Sequence, residues 1–140
     1  MNGTLGEIRL WAGNRAPSGW AFCHGQEFPV SGNDGLFALL GSFYGGDGRT
    51  KFNLPDLRGR VPVGAGQGDG LSPVTLGAST GSETTTSETT HITTHTHSDS
   101  SGTQEQSQSA AAGGQAYDNR PPSLGLNYII CISGEFPTTN

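Results

Sequence analysis

The chain has 140 residues, of which 31% are hydrophobic, and it carries a formal charge of −5 with 7 lysines and arginines. Its length suits one domain, and the low apolar content predicts a small core to which oligomerisation adds the missing burial. The acidic balance argues against nucleic acid and against an anionic membrane surface, because both require a basic face.

Nothing in the chain resembles a membrane or export segment. No stretch approaches the roughly 20 apolar residues of a membrane helix, so we expect no membrane insertion. The first seven residues lack a basic region followed by an apolar core, so no secretory signal is visible. If the protein works outside a cell, we expect it to leave by lysis, by a dedicated machine or by a signal-independent route.

The first predicted elements are two strands and a helix. Residues 7–13 alternate polar and apolar side chains, as a half-buried strand does, and a Pro-Ser-Gly turn leads to a second strand at residues 20–24. A short helix is predicted over residues 34–41, with Asn33 or Asp34 as its cap and Gly41 ending it. Much of the core is expected from the large apolar residues of this helix, which are Leu36, Phe37, Leu39 and Leu40.

Two irregular segments follow the helix. Residues 44–52 are rich in glycine but do not join a clear strand to a helix, so we interpret them as a loop with unusual backbone angles rather than as a phosphate site. Pro55 and Pro62 exclude a central strand, and residues 52–64 are therefore predicted to run across the surface as an irregular or edge element. We expect a structural set of ion pairs among the nearby charges, which are Asp47, Asp56, Arg58 and Arg60.

The composition changes sharply between residues 78 and 116, where Thr, Ser, Gln, Gly and Ala dominate and Ile92 is the only large aliphatic residue. A monomer cannot bury such a segment, so it is either disordered or made into strands by partner chains. Few breakers occur in residues 84–96, which favours order on assembly. The strongest predicted strand, residues 124–132, is expected in the central sheet.

Three histidines, His91, His95 and His97, stand in the Thr-rich segment. In an extended chain their side chains share one face, with His95 and His97 roughly 7 Å apart. This set is incomplete for one metal, but three copies of His95 and His97 would supply six imidazoles to an octahedral first-row metal on a threefold axis. The alternative is a solvated segment without metal.

Cys23 and Cys131 each lie in a short apolar run. They are interpreted as buried thiols or, alternatively, as a disulfide that closes a loop of about a hundred residues. Neither has a visible catalytic partner.

These residues together resemble the phage tail collar domain family, which includes proteins called microcystin-dependent and the receptor-binding end of phage short tail fibres. The most specific motif is Leu-Pro-Asp-Leu-Arg-Gly-Arg at residues 54–60. The resemblance also runs through residues 6–9, 12–14, 16–21, 23, 25–26, 36–41, 44–50, 52–53, 61–63, 66–68, 95–97, 122, 126–130 and 136–137.

The resemblance implies a small β-rich domain that assembles as a trimer and holds a metal on its axis through His95 and His97. We therefore predict a mainly β fold with one short α-helix, composed of a tail-collar-like domain and an extended Thr/Ser-rich β segment used in oligomerisation. Residues 1–77 form the collar domain, residues 78–116 the assembly segment, and residues 117–140 the strand that completes the collar. The expected cofactor is a divalent transition metal, iron or zinc, on an oligomer axis.

The preferred function is a non-enzymatic structural subunit of an extracellular or virion-associated fibre or self-assembling filament, whose main partner is another copy of itself. The alternative is a trimeric adhesin that binds a cell-surface glycan. Its sugar contacts would be Trp11, Trp20, Phe43, Tyr44 and Asp47, although both tryptophans are also expected in the core. A metal-dependent hydrolase using His91, His95 and His97 is disfavoured because no carboxylate base has suitable spacing.

Overall fold

The computed structural model describes residues 2–86 and 116–138. These belong to two compact units, Met1–Ser79 with Leu124–Asn140 and Thr80–Ser123. In chain order the elements are β1 Ile8–Trp11, β2 Trp20–Phe22, β3 Glu27–Pro29, α1 Asp34–Leu40, β4 Lys51–Asn53, β5 Thr84–Thr86, β6 Ala116–Asp118 and β7 Asn127–Cys131. The prediction of a mainly β fold with one short helix is confirmed.

The first unit is built on a three-stranded sheet with the order β1-β7-β2, in which both pairs are antiparallel. The strand predicted to be strongest, β7, therefore lies in the centre. Ile130 is opposite Ile8 on one side and Ala21 on the other, so these three side chains share a face of the sheet. Ile129 and Cys131 point to the opposite face.

Each face of the sheet carries its own cluster of buried side chains. The face of Ile130 packs with α1 and β4, and its buried residues are Cys23, Leu36, Leu40, Phe52, Leu54 and Ile130. The other face has a smaller cluster of Trp20, Ile129 and Cys131, against which Trp11, Ala16 and Phe22 pack. Both clusters are small, in agreement with the low apolar content of the chain.

This arrangement decides between the two interpretations of the cysteines. Cys23 lies in the cluster of Ile130, whereas Cys131 lies in the cluster on the other face. Both are buried and unbonded, because the sheet itself separates them. Burial raises the pKa of Cys23 to about 12, so this thiol is a poor nucleophile at neutral pH.

Helix α1 begins and ends at the residues that the sequence indicates. Asn33 is the N-cap, although its side chain donates to the carbonyl of Pro29 and not to the helix. Gly41 ends the helix with φ of 50°, and its N–H donates to the carbonyl of Phe37. Leu36 and Leu40 are buried, so the helix contributes two residues to the core, with Phe37 packed at its margin.

The interpretation of residues 52–64 as a surface element is wrong for their first part. Phe52 belongs to β4, which pairs antiparallel with β3, and Phe52 and Leu54 are fully buried. Pro55 does not prevent β4 from pairing, because this proline follows the strand and is not within it. From Arg58 to Gly64 the chain is exposed, as predicted.

The second unit contains the antiparallel ribbon of β5 and β6, with Thr85 opposite Tyr117. The N–H of Asn119 donates to the carbonyl of Glu83 at 3.0 Å, and the Arg120 guanidinium lies 3.4 Å from the Glu83 carboxylate. An isolated two-stranded ribbon is at best marginally stable in water.

Candidate functional site

The proposed metal ligands His91, His95 and His97 lie outside the described residues. Within residues 2–86 and 116–138, no group of three or more His, Cys, Asp or Glu side chains could hold a metal ion. The fourth histidine, His24, follows β2 and stacks on Phe22 with ring centroids 5.1 Å apart. His24 is half-buried near the end of this strand.

The glycine-rich loop between α1 and β4 is organised around Asp47. Its carboxylate accepts hydrogen bonds from the backbone N–H groups of Arg49, Thr50 and Lys51 at 2.8 to 2.9 Å, and from the Thr50 hydroxyl at 2.5 Å. The Thr50 hydroxyl, followed by these N–H groups, holds the pKa of Asp47 well below its usual range. The loop uses the acceptor capacity of this carboxylate internally, so Asp47 is a poor ligand for a sugar hydroxyl.

Glycine is required in this loop for steric reasons. Gly45, Gly46 and Gly48 all have positive φ. A Cβ on Gly46 would lie 2.5 Å from the Phe52 Cα and 2.6 Å from the Lys51 carbonyl oxygen, which no real Cβ tolerates. The loop therefore requires glycine for its backbone path, as the sequence indicates.

The predicted ion pairs are found in part. Arg58 binds Asp56 through two side-chain hydrogen bonds of 2.9 and 2.8 Å, and this contact lowers the pKa of Asp56 to about 2. Asp47 forms its bonds with its own loop and not with Arg58 or Arg60. The Arg58 pair is exposed, so its contribution to stability is small.

The four aromatic residues proposed to stack on sugars are placed differently from one another. Trp20 is buried, and the half-buried Trp11 donates its indole N–H to the Arg15 carbonyl at 2.9 Å. Tyr44 packs at the margin of the larger core cluster, where burial raises its pKa. Phe43 alone among the four is broadly exposed, at 58%.

The chain from Arg58 to Ser79, here called the exposed arm, carries apolar residues without a core of its own. Val61 is 85% exposed and Leu71 is 68% exposed. Its internal contacts include a single-residue bridge between Gly66 and Val74, and the Gly77 backbone lies against Phe43. Several exposed apolar residues on one segment make the arm a candidate surface for contact with a partner.

The edge of the central sheet has a further apolar surface that the sequence pattern did not indicate. The alternation in β1 predicts that Ile8 and Leu10 are its buried residues, but they are 40% and 58% exposed. Arg9 and Trp11 are half-buried instead. The half-buried face of β1 is the one that packs toward Trp20, which is the reverse of the expected burial, and the order of strands was needed to find it.

Most of these features lie within residues 6–62 or directly beside them. Residues 6–62 match the model of the phage tail collar domain. Residues 6–62 form a phage tail collar domain. No curated protein matches the chain.

The collar domain contains β1 to β4 and α1, with the Asp47 loop and the Asp56–Arg58 pair. The central strand β7 lies outside the matched residues but completes the sheet between β1 and β2. The collar domain is thus closed by a strand that returns from residues 127–131. The exposed arm begins at the end of the matched segment.

A collar domain indicates a structural protein of the phage tail or tail-fibre type, and such domains are associated with virions and generally form oligomers. The domain is not known as an enzyme. Among the described residues, no helix has the length and apolar character needed to cross a membrane.

Proposed function

We propose that the chain is a non-enzymatic structural subunit of an extracellular fibre or self-assembling filament built from collar domains. The observation that carries this proposal is the distribution of apolar residues. Nine hydrophobic side chains are buried in the described part of the chain, whereas ten large ones are exposed. Copies of the chain that cover these surfaces would supply the burial that each copy lacks.

The proposed assembly has two parts. The Thr-rich assembly segment, residues 78–116, pairs with strands of neighbouring copies, because its polar composition offers a core little apolar surface while its threonines favour strands. His95 and His97, with His91 nearby, bind a divalent transition metal, iron or zinc, on the axis of the oligomer. The collar domain supports this proposal through its family, whose members form oligomers in tail fibres.

A substitution in the exposed arm tests the proposed assembly. Leu71→Ser is expected to weaken assembly in sedimentation velocity while changing the free energy of unfolding of the dissociated chain by less than about 0.5 kcal/mol, because Leu71 is exposed. Leu54→Ala is the opposite control, since the loss of a fully buried leucine costs about 2–5 kcal/mol of folding stability. Unchanged sedimentation of Leu71→Ser, with wild-type assembly present, would exclude the arm from the contacts.

A trimeric adhesin that binds a cell-surface glycan is the second candidate, and the exposed ring of Phe43 favours it. Phe43 is a platform on which a sugar ring can stack, and it lies one residue before the half-buried Tyr44. Glycan binding that is lost in Phe43→Ala, with assembly retained, would support the adhesin. Absence of glycan binding by the assembled wild type would leave the structural role alone.

A further inference from the structure

The outer edge of β1 carries backbone groups that no described residue pairs. The Tyr128 carbonyl accepts the Cys23 N–H at 2.9 Å, so Tyr128 directs its backbone groups toward β2. Since these directions alternate along a strand, Ile129 directs its groups toward Arg9, its partner on β1. The N–H and C=O groups of Ile8 and Leu10 therefore point away from the sheet.

The side chains of β1 do not protect this edge. Natural sheets usually prevent edge pairing with lysine, proline or an isolated charge, and β1 has neither lysine nor proline. Its one charge, Arg9, lies across the sheet with its guanidinium 4.9 Å from the Trp20 ring, and its Nε donates to the Glu7 carboxylate at 2.6 Å. The apolar side chains of Ile8 and Leu10 remain at the open edge.

We propose that this edge pairs with β1 of a second copy, antiparallel and across a twofold axis at Ile8. Charge complementarity favours this register over its neighbours, and Glu7 and Arg9, which bond each other within one chain, would exchange partners across the axis. Glu7 and Arg9 flank Ile8, so the twofold places Glu7 of each copy opposite Arg9 of the other. A twofold at Arg9 would place two arginines opposite each other, and a twofold at Leu10 would leave Glu7 without an opposite charge.

In this register Ile8 contacts Ile8 of the second copy, and their backbone groups form two reciprocal hydrogen bonds. The two charge pairs lie on the other face of the joined sheet. This contact deepens the proposed function and rests on it. A twofold contact closes as a dimer, so a filament also needs the separate pairing of the Thr-rich segment.

The test uses two full-length variants, Glu7→Arg and Arg9→Glu. Each variant alone places like charges opposite each other twice, so its dimerisation is expected to weaken roughly tenfold. An equimolar mixture restores both opposite-charge pairs between chains, and heterodimers are expected in native mass spectrometry. The charge pair within each chain is broken in both variants, so recovery in the mixture reports only contacts between chains.

A cysteine variant tests the register. Ile8→Cys is expected to form a covalent dimer on oxidation, because the two sulfurs meet at the twofold axis. Leu10→Cys is the control, since its two copies would lie about 13 Å apart along the joined strands. The native cysteines are buried and unbonded. Crosslinking of Leu10→Cys but not of Ile8→Cys would overturn the register. A protein that stays monomeric and forms no crosslink would overturn the contact, whether its β1 edge is open or covered by the same chain.

The failures of the two proposals are distinguishable in electron micrographs of the same samples. If the wild type forms filaments and both charge variants associate as strongly as the wild type, the β1 contact is overturned and the proposed function stands. Wild-type dimers that show the charge-swap behaviour but never grow into filaments would support the contact and contradict the proposed polymer.

Discussion

At the scale of single residues, Gly46 is a position at which the backbone permits no side chain. Its φ is 94°, and a Cβ would meet the Phe52 Cα and the Lys51 carbonyl oxygen. We expect Gly46→Ala to lower the free energy of unfolding by about 3 kcal/mol, because backbone strain and a clash with β4 add. Urea unfolding followed by tryptophan fluorescence measures this change.

Gly32 provides the matched control for that substitution. Its φ is 82°, but a Cβ there would meet no atom within 4 Å. Gly32→Ala is therefore expected to cost about 1 kcal/mol from backbone strain alone. Equal effects of the two substitutions would show that the contact with β4 does not set the requirement for glycine.

The hydrogen bonds of Asp47 predict how folding stability changes at acid pH. Its pKa in the folded protein is lowered from 3.8, so the native state favours the carboxylate, and its contribution to stability is present above the unfolded pKa and lost as pH falls below it. Asp47→Asn should be less stable than the wild type at pH 7, and the difference should shrink between about pH 4 and 2. Chemical unfolding at several pH values measures it. Asp69→Asn, at an exposed position, is the control, and a difference independent of pH would contradict the assigned role.

At the scale of elements, the sequence correctly predicted the helix and the strand whose signals lie in their own residues. The cap residue Asn33, the terminal Gly41 and the apolar spacing between them suffice to define α1. The long apolar run of β7 suffices to place it in the centre of the sheet. Both predictions depend on neighbouring residues in the chain, which is why they succeeded.

Burial at the sheet edge and in β4 could not be predicted in the same way. Ile8 and Leu10 are exposed, whereas Arg9 and Trp11 of the same strand pack toward Trp20, and this sheet depends on pairing with residues more than a hundred positions away. Phe52 and Leu54 are buried because they pack in the cluster that Ile130 and the leucines of α1 form. For the candidate site, the sequence indicated the structural role of the glycine loop, whereas the full use of the Asp47 carboxylate required the structure.

A substitution in the ribbon of β5 and β6 tests the proposed assembly at the scale of elements. Thr85→Pro removes a backbone N–H from the segment proposed to pair between copies, so assembly should be lost. The collar domain lies in the other unit, and its near-ultraviolet circular dichroism should be unchanged. Thr85→Val, which favours a strand, is the control and should assemble. If Thr85→Pro assembles as well as Thr85→Val, the ribbon does not contribute to the contacts.

At the scale of the whole molecule, a collar domain with a small core is joined to segments whose apolar or strand-forming residues lack partners in the described chain. The exposed arm, the open edge of β1 and the two-stranded ribbon would each be completed by another copy. The acidic charge of −5 limits nonspecific association. The proposed pairing between copies is therefore expected to rest on specific contacts, as in a regular polymer.

The most direct measurement is electron cryomicroscopy of the purified full-length protein, with and without a chelator. The account predicts continuous filaments in which the Thr-rich segment adds strands to neighbouring copies. It also predicts density between His95 and His97 of adjoining copies, and the chelator should remove it. Isolated monomers or compact trimers over the full concentration range would contradict the proposal of a self-assembling filament.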